Sequence, residues 1–201
     1  LKTHSCLGQY HGQPFTTNDY TLGGIYIVRD PRNVITSVMN HFTLDVEDAF
    51  KFMANTNKNT MDPNSKDYRT WVFLSNWSSH YSSWCKSKNF RKLIIKYEDL
   101  ESDKYETFRD IIVFTNTLLN RTERVDKKKL ERAIETTNFN VLKNKEKNEG
   151  FDEALYIKKE KRNKVFFNMG FNNRWKKLLR EDIRKKIEIE FSKEMKELGY
   201  I

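Results

Sequence analysis

Gly23-Gly24-Ile25-Tyr26-Ile27-Val28-Arg29-Asp30-Pro31 is the stretch on which the fold turns. Its apolar, β-branched run bounded by glycines reads as a buried strand. Asp30 followed by Pro31 is a helix start, because an Asp side chain caps the free N–H groups and proline tolerates the first helical position. Val34, Ile35, Val38 and Phe42 continue it at helical spacing, so the unit is strand, tight turn, helix. Lys92-Leu93-Ile94-Ile95-Lys96-Tyr97 repeats the strand pattern and ends at Glu98-Asp99. Helices are expected over 45–54, 103–119 and 126–136, and from about 180, where Ile183, Ile187, Phe191 and Met195 recur every four residues. Between Lys66 and Cys85 the residues Trp71, Leu74, Trp77, Tyr81 and Trp84 predict one more helix, its aromatic face packed in the core. Strands alternating with helices give an α/β domain on a mainly parallel sheet.

At 201 residues the chain is one domain, 1–201, large enough to bury a core. Residues 5–22 and 55–65 read as loops, and 143–164, rich in Lys, Glu and Asn around Gly150, as a mobile charged loop. No apolar run approaches the ~18 residues of a membrane span. Cys6 and Cys85 are too few for a disulfide framework or a four-cysteine zinc site, which fits a reducing, cytoplasmic setting. The Lys-, Asn- and Ile-rich composition points to an AT-rich, bacterial genome. The 37 basic and 28 acidic residues leave a net charge of +9, suited to an anionic ligand but silent on which one.

Arg29 stands at the carboxyl end of a strand and just before a helix N-terminus, where open α/β sheets bind ligands and anions are favoured. With Ser37 it offers guanidinium and hydroxyl contacts to a phosphate. Pairing of Arg29 with Asp30 or another carboxylate is the competing reading. Lys2 and His4, two apart in an extended Lys2-Thr3-His4, project to one side. An imidazole near neutral pKa can remove a proton, and a lysine beside it can stabilise developing negative charge. Walker A, G-x-G-x-x-G, H-E-x-x-H and G-x-S-x-G patterns are all absent, and the four histidines show no metal-ligand clustering.

Taken in order, K-T-H (2–4), I-Y-I-V-R-D-P-R-N-V-I-T-S-V-M-N-H-F (25–42), K-Y-E-D-L (96–100), T-T-N-F (136–139) and G-F-N-N-R-W-K (170–176) resemble the sulfotransferases that use 3′-phosphoadenosine 5′-phosphosulfate. The resemblance is to their cytosolic-type and bacterial branch. It implies a P-loop-NTPase-like, three-layer α/β domain with a central parallel sheet. It assigns Arg29 and Ser37 to the cofactor's 3′-phosphate, and Tyr97, Thr137 and Phe139 to its adenine. His4 matches the base that takes the acceptor's proton, and Lys2 a lysine that assists at the sulfuryl group. The reaction is sulfuryl transfer to a hydroxyl or amine of a small acceptor, without metal, nucleic acid or membrane span.

Two departures accompany the match. The family's 5′-phosphosulfate loop, P-K-S/A-G-T-like, lies upstream of K-T-H and is not in this sequence. The chain therefore reads as cut inside a larger domain, short of its N-terminal strand and loop, with an exposed sheet edge and no activity on its own. The R-K-G that also holds the 3′-phosphate falls on Asn168-Met169-Gly170, with Arg162, Lys164 and Arg174 as candidate replacements. Acceptor pockets in the family are built by variable loops, here 5–22, 45–65 and 143–164, and Tyr10, Phe15 and Phe151 are the aromatics that can face a planar acceptor, with packing as their default reading. A basic nucleotide- or RNA-binding module without catalysis is the alternative the net charge allows.

Overall fold

The computed structural model describes residues 1–60, 72–152, 154, 156–157, 161–170 and 173–201, without the side chains of Tyr10, Tyr156, Ile157 and Arg162. A small hairpin of β1 (Gln9–Tyr10) and β2 (Gln13–Pro14) opens the chain. The expected unit follows as β3 (Gly23–Val28) and α1 (Pro31–Phe42), then α2 (Val46–Ala54). β4 (Asn59–Thr60) pairs antiparallel with β5 (Val72–Phe73) ahead of α3 (Trp77–Cys85). β6 (Arg91–Lys96) runs straight into α4 (Tyr97–Ser102), followed by α5 (Lys104–Leu118), α6 (Lys127–Thr136) and α7 (Phe139–Glu149). A second hairpin, β7 (Tyr156–Ile157) with β8 (Arg162–Asn163), precedes α8 (Trp175–Leu178), α9 (Glu181–Glu190) and α10 (Ser192–Glu197).

The two long strands pair in parallel, Gly23 opposite Arg91 through Val28 opposite Lys96. Adjacent residues of a strand face opposite sides, and here the two glycines mark the layers. A side chain on Gly23 would meet Leu118 of α5, and one on Gly24 would meet Phe90 and Trp84 on the α3 side. Along β3 the α3 side is therefore packed, while α5 meets the other face only at the Gly23 end. Ile25 and Ile27 remain 43% and 53% exposed. The strand expected to be buried is covered on one face only among the described residues.

Most of the core lies beside the sheet. Ile35 of α1, Ala49 of α2, Ile183 and Ile187 of α9, and Phe191 and Met195 are all fully buried together. The four-residue repeat at the C-terminus is therefore the inner stripe of α9 and α10. Phe191 also touches Trp77 of α3, ring centroids 5.4 Å apart, so it ties the C-terminal helices to the aromatic helix. Phe191→Ala is expected to lower unfolding stability by about 3–5 kcal/mol, measured by urea denaturation.

Two expectations are corrected. The helix expected from Lys66 starts only at Trp77. Asn76 caps it by accepting the Ser79 N–H at 2.7 Å, and Ser75 in the left-handed region (φ 56°) breaks any helix before it, so Leu74 precedes the helix. Residues 66–71 lie outside those described. The charged 143–164 stretch is not loop throughout, since residues 143–149 finish α7. That helix begins at Asn138, which caps it through Asn140 N–H, and stops at Gly150 (φ 82°). Its charges line a solvated helix.

Candidate active site

Asp30 is engaged by Arg32 and not by Arg29. It caps α1 through the Arg32 N–H at 2.9 Å and takes the Arg32 guanidinium at 2.7 and 3.0 Å. Arg32 is buried, stacks on Trp175 at 4.0 Å, and also donates to Glu188 and to the Tyr200 carbonyl. It is a structural clamp that holds the C-terminus against α1. Arg29 is thereby left without Asp30. Its guanidinium lies 4.1 Å over the Tyr97 ring, its nearest carboxylate oxygen is on Glu101 at 3.8 Å, and its buried Nε has no hydrogen-bond partner among the described residues.

Arg29 and Tyr97 follow the carboxyl ends of β3 and β6, and a cleft of about 1310 Å³ opens there. Lys2, His4, Arg29, Ser37, Tyr97, Thr137 and Phe139 all border it, from four separate segments. Lys2 and His4 do not belong to a strand. The Ser5 N–H turns back onto Thr3 Oγ1 at 3.1 Å, yet both side chains still reach the cleft wall. Ser37 Oγ accepts from Asn173 Nδ2 at 3.3 Å, which leaves its own proton for another acceptor. Thr137 donates its hydroxyl to the Ala133 carbonyl at 2.7 Å and so closes α6. Phe139 opens α7, its ring against Gly170.

Gly170 shows why one residue of Asn168-Met169-Gly170 is fixed. Its φ of 51° disfavours any side chain, and a Cβ would sit 2.6 Å from the Phe139 ring. Of the replacements proposed for the missing charges, Lys164 lines the cleft and donates to Thr43 Oγ1 at 2.7 Å. Arg174 acts on Glu101, lowering its pKa, while the side chain of Arg162 is not described.

Phe15 and Phe151 take their default reading and pack, while the 45–65 segment supplies Phe52 and Met53 to the cleft. Phe15 is an exposed ring edge-on to Trp84, and Phe151 packs on Phe166 and Phe167; neither lines the cleft. The wall is made instead by Phe42, Phe52, Met53, Leu74 and Trp77. These come from α1, α2 and the entry to α3, whose inward faces the sequence assigns to core.

Sequence reading also passes over four residues at this site: Tyr26, His80, Glu101 and Asn173. His80 falls at i+3 from Trp77 on the aromatic face of α3, the one signal that marks it. Its Nδ1 meets the Tyr26 hydroxyl at 2.8 Å and its Nε2 the His4 carbonyl at 3.1 Å. Burial pushes the His80 pKa down and the Tyr26 pKa up, so both stay neutral. Burial likewise raises the Glu101 carboxyl above its usual range, against the pull of Arg29. No group of metal-ligating side chains occurs among the described residues, and no helix there is long and apolar enough to cross a membrane.

Residues 10–199 match the sulfotransferase domain, and the chain belongs to that family. Its fold is that of solved sulfotransferase-like structures. Mouse sulfotransferase SULT7A1, complexed with PAP, superposes with a TM-score of 0.58 at 17% identity over 85% of this chain and 57% of that one. Retinol dehydratase, in complex with androsterone and the inactive cofactor PAP, gives 0.57 at 19% over 86% and 47%. The same enzyme with retinol and PAP gives 0.55 at 20% identity. This chain thus spans about half the length of these structures. No curated protein matches it by sequence.

Proposed function

We propose that the protein transfers a sulfuryl group from 3′-phosphoadenosine 5′-phosphosulfate to a hydroxyl or amine of a small, largely apolar acceptor. The observation that carries this reading is the convergence of seven motif residues from four segments on one cleft at the carboxyl ends of the parallel strands. Arg29 and Ser37 take the 3′-phosphate, with Tyr97, Thr137 and Phe139 around the adenine. The acceptor lies toward Phe42, Phe52 and Trp77. His4 accepts the acceptor's proton as the new O–S or N–S bond forms and the bond from sulfur to the bisphosphate breaks. Lys2 stabilises the charge that develops. Positioning and charge stabilisation supply most of the acceleration in such loose, in-line transfers. No nucleic acid is required, and of the aromatics of α3 Tyr81 is used for packing, only 3% exposed. Free Cys6 and Cys85 suit a reducing cytoplasm.

The test is transfer of labelled sulfate from the donor to a panel of phenols, sterols and retinol. Label in an apolar acceptor, absent with His4→Ala, supports the proposal; none in any acceptor, from folded protein that includes a 5′-phosphosulfate loop, contradicts it.

Glu101 gives this site a pH dependence. A phosphate arriving at Arg29 meets a carboxylate 3.8 Å from the guanidinium, with Glu98, Lys104 and Arg174 the other charges that act on it. Ionised Glu101 opposes the ligand, and protonated Glu101 does not. Glu101→Gln is expected to tighten adenosine 3′,5′-bisphosphate binding by roughly three- to tenfold at pH 7.5. Because the carboxyl titrates above its usual range, that advantage shrinks as pH falls through the raised pKa, and titration calorimetry from pH 7.5 to 5 checks it. The ratio of variant to wild type cancels the phosphate's own ionisation.

A further inference from the structure

One face of α3 reads the main chain that carries the proposed base. His80, Ser83 and Trp84 lie at i, i+3 and i+4, a single stripe. The His4 carbonyl meets His80 Nε2 at 3.1 Å, and the Ser5 carbonyl accepts from Trp84 Nε1 at 2.9 Å. The Cys6 thiol and the Leu7 N–H both donate to Ser83 Oγ, at 3.1 and 3.0 Å. Residues 4–7 are therefore held one by one by a helix more than seventy positions away in sequence. Only His80 touches the residue that bears the base.

The protonation state of His80 follows from its partners. A carbonyl can only accept, so Nε2 carries the proton and Nδ1 must accept from the Tyr26 hydroxyl. Both ring nitrogens are thus occupied, and His80, although it lines the cleft, has no free lone pair with which to take a substrate proton. Tyr26 is on β3, three residues before Arg29. The chain of contacts joins the strand that presents the anion-binding arginine to the segment that presents the base.

We infer that His80, oriented by the Tyr26 hydroxyl, is a positioning residue that fixes the His4 main chain, and with it the imidazole of His4, against the sheet. This inference rests on the reading of His4 as the base. It predicts a particular split in the measurements. Loss of His80 misplaces the proton acceptor but not the nucleotide, and misplacement on the ångström scale slows an oriented step by about ten- to a hundredfold.

The experiment compares His80→Ala, His80→Gln and Tyr26→Phe in the protein. Three quantities are read: single-turnover sulfuryl transfer, affinity for adenosine 3′,5′-bisphosphate, and amide exchange of residues 3–7 by mass spectrometry. His80→Ala is expected to lose about ten- to a hundredfold in rate, bind the nucleotide within twofold of wild type, and exchange faster across residues 3–7. His80→Gln, whose amide can still donate to the His4 carbonyl, recovers most of both losses. Tyr26→Phe keeps the ring and loses only the hydroxyl, and falls between. Unchanged rate and exchange in His80→Ala overturn the inference, as does a folded His80→Gln no better than His80→Ala. If His80→Ala does not fold, Tyr26→Phe decides alone, and wild-type behaviour in it is the overturning result. If wild-type protein that includes a 5′-phosphosulfate loop transfers no sulfate, the functional reading fails, and the exchange of residues 3–7 still decides whether His80 holds this segment.

Discussion

On the proposed function, His4→Ala is expected to lower the rate of sulfuryl transfer by about 10²–10⁴-fold, roughly 3–5 kcal/mol of activation free energy, and to leave nucleotide affinity within twofold. The size is that of a general base removed from an otherwise intact site. The split follows from placement. His4 is exposed at the cleft wall and is anchored through its carbonyl, which alanine retains, so the segment stays docked on α3. Arg29, Ser37 and Tyr97 are reached from other elements. A matching loss in affinity would mean that residues 2–4 bind the donor and that the proton goes elsewhere. Steady-state rates at saturating donor, with calorimetric affinities for both proteins, separate the two.

Arg29→Ala is the second large effect: adenosine 3′,5′-bisphosphate binds about 30- to 1,000-fold more weakly, a loss of about 2–4 kcal/mol. That is the scale of one or two charge-assisted hydrogen bonds to phosphate. Stability is expected to change little, because among the described residues Arg29 makes only the 3.8 Å approach to Glu101 and the stack on Tyr97. The contrast is with Arg32, three residues on. Arg32 neutralises Asp30 and Glu188 in the interior, and its loss leaves Asp30 buried without a counter-charge. Removing one partner of such a pair costs about 3–5 kcal/mol of stability. Two arginines of one R-D-P-R motif thus separate by experiment, one through ligand affinity and the other through unfolding.

The local elements of this fold are legible in the sequence where chemistry is local. Asp30-Pro31 announces α1 because capping involves neighbours, and the stripe Ile183, Ile187, Phe191 and Met195 announces the C-terminal helices because its period is their own. The motif order likewise leads to Arg29, Ser37 and Tyr97 at one cleft. What the sequence does not display is set by approach between distant segments. Asn173 closes on Asn33, Thr36 and Ser37 from about 140 positions away. Glu101 becomes a rival for Arg29 only because β3 and β6 run parallel and end side by side. The aromatic helix misleads in another way. Trp77 and Leu74 share an apolar pattern, but Asn76 between them is a cap, and the cap decides where the helix begins.

The central claim is that the cleft beyond β3 and β6 is a site for a nucleotide bearing a 3′-phosphate, read by Arg29. Calorimetric titration of adenosine 3′,5′-bisphosphate and of 5′-AMP into the wild-type protein and Arg29→Ala tests it most directly. The account predicts that wild type prefers the bisphosphate by at least tenfold, the scale of one charge-assisted bond, and that Arg29→Ala binds both nucleotides alike. Equal binding of the two nucleotides by folded wild type, or a preference that survives in Arg29→Ala, would contradict it.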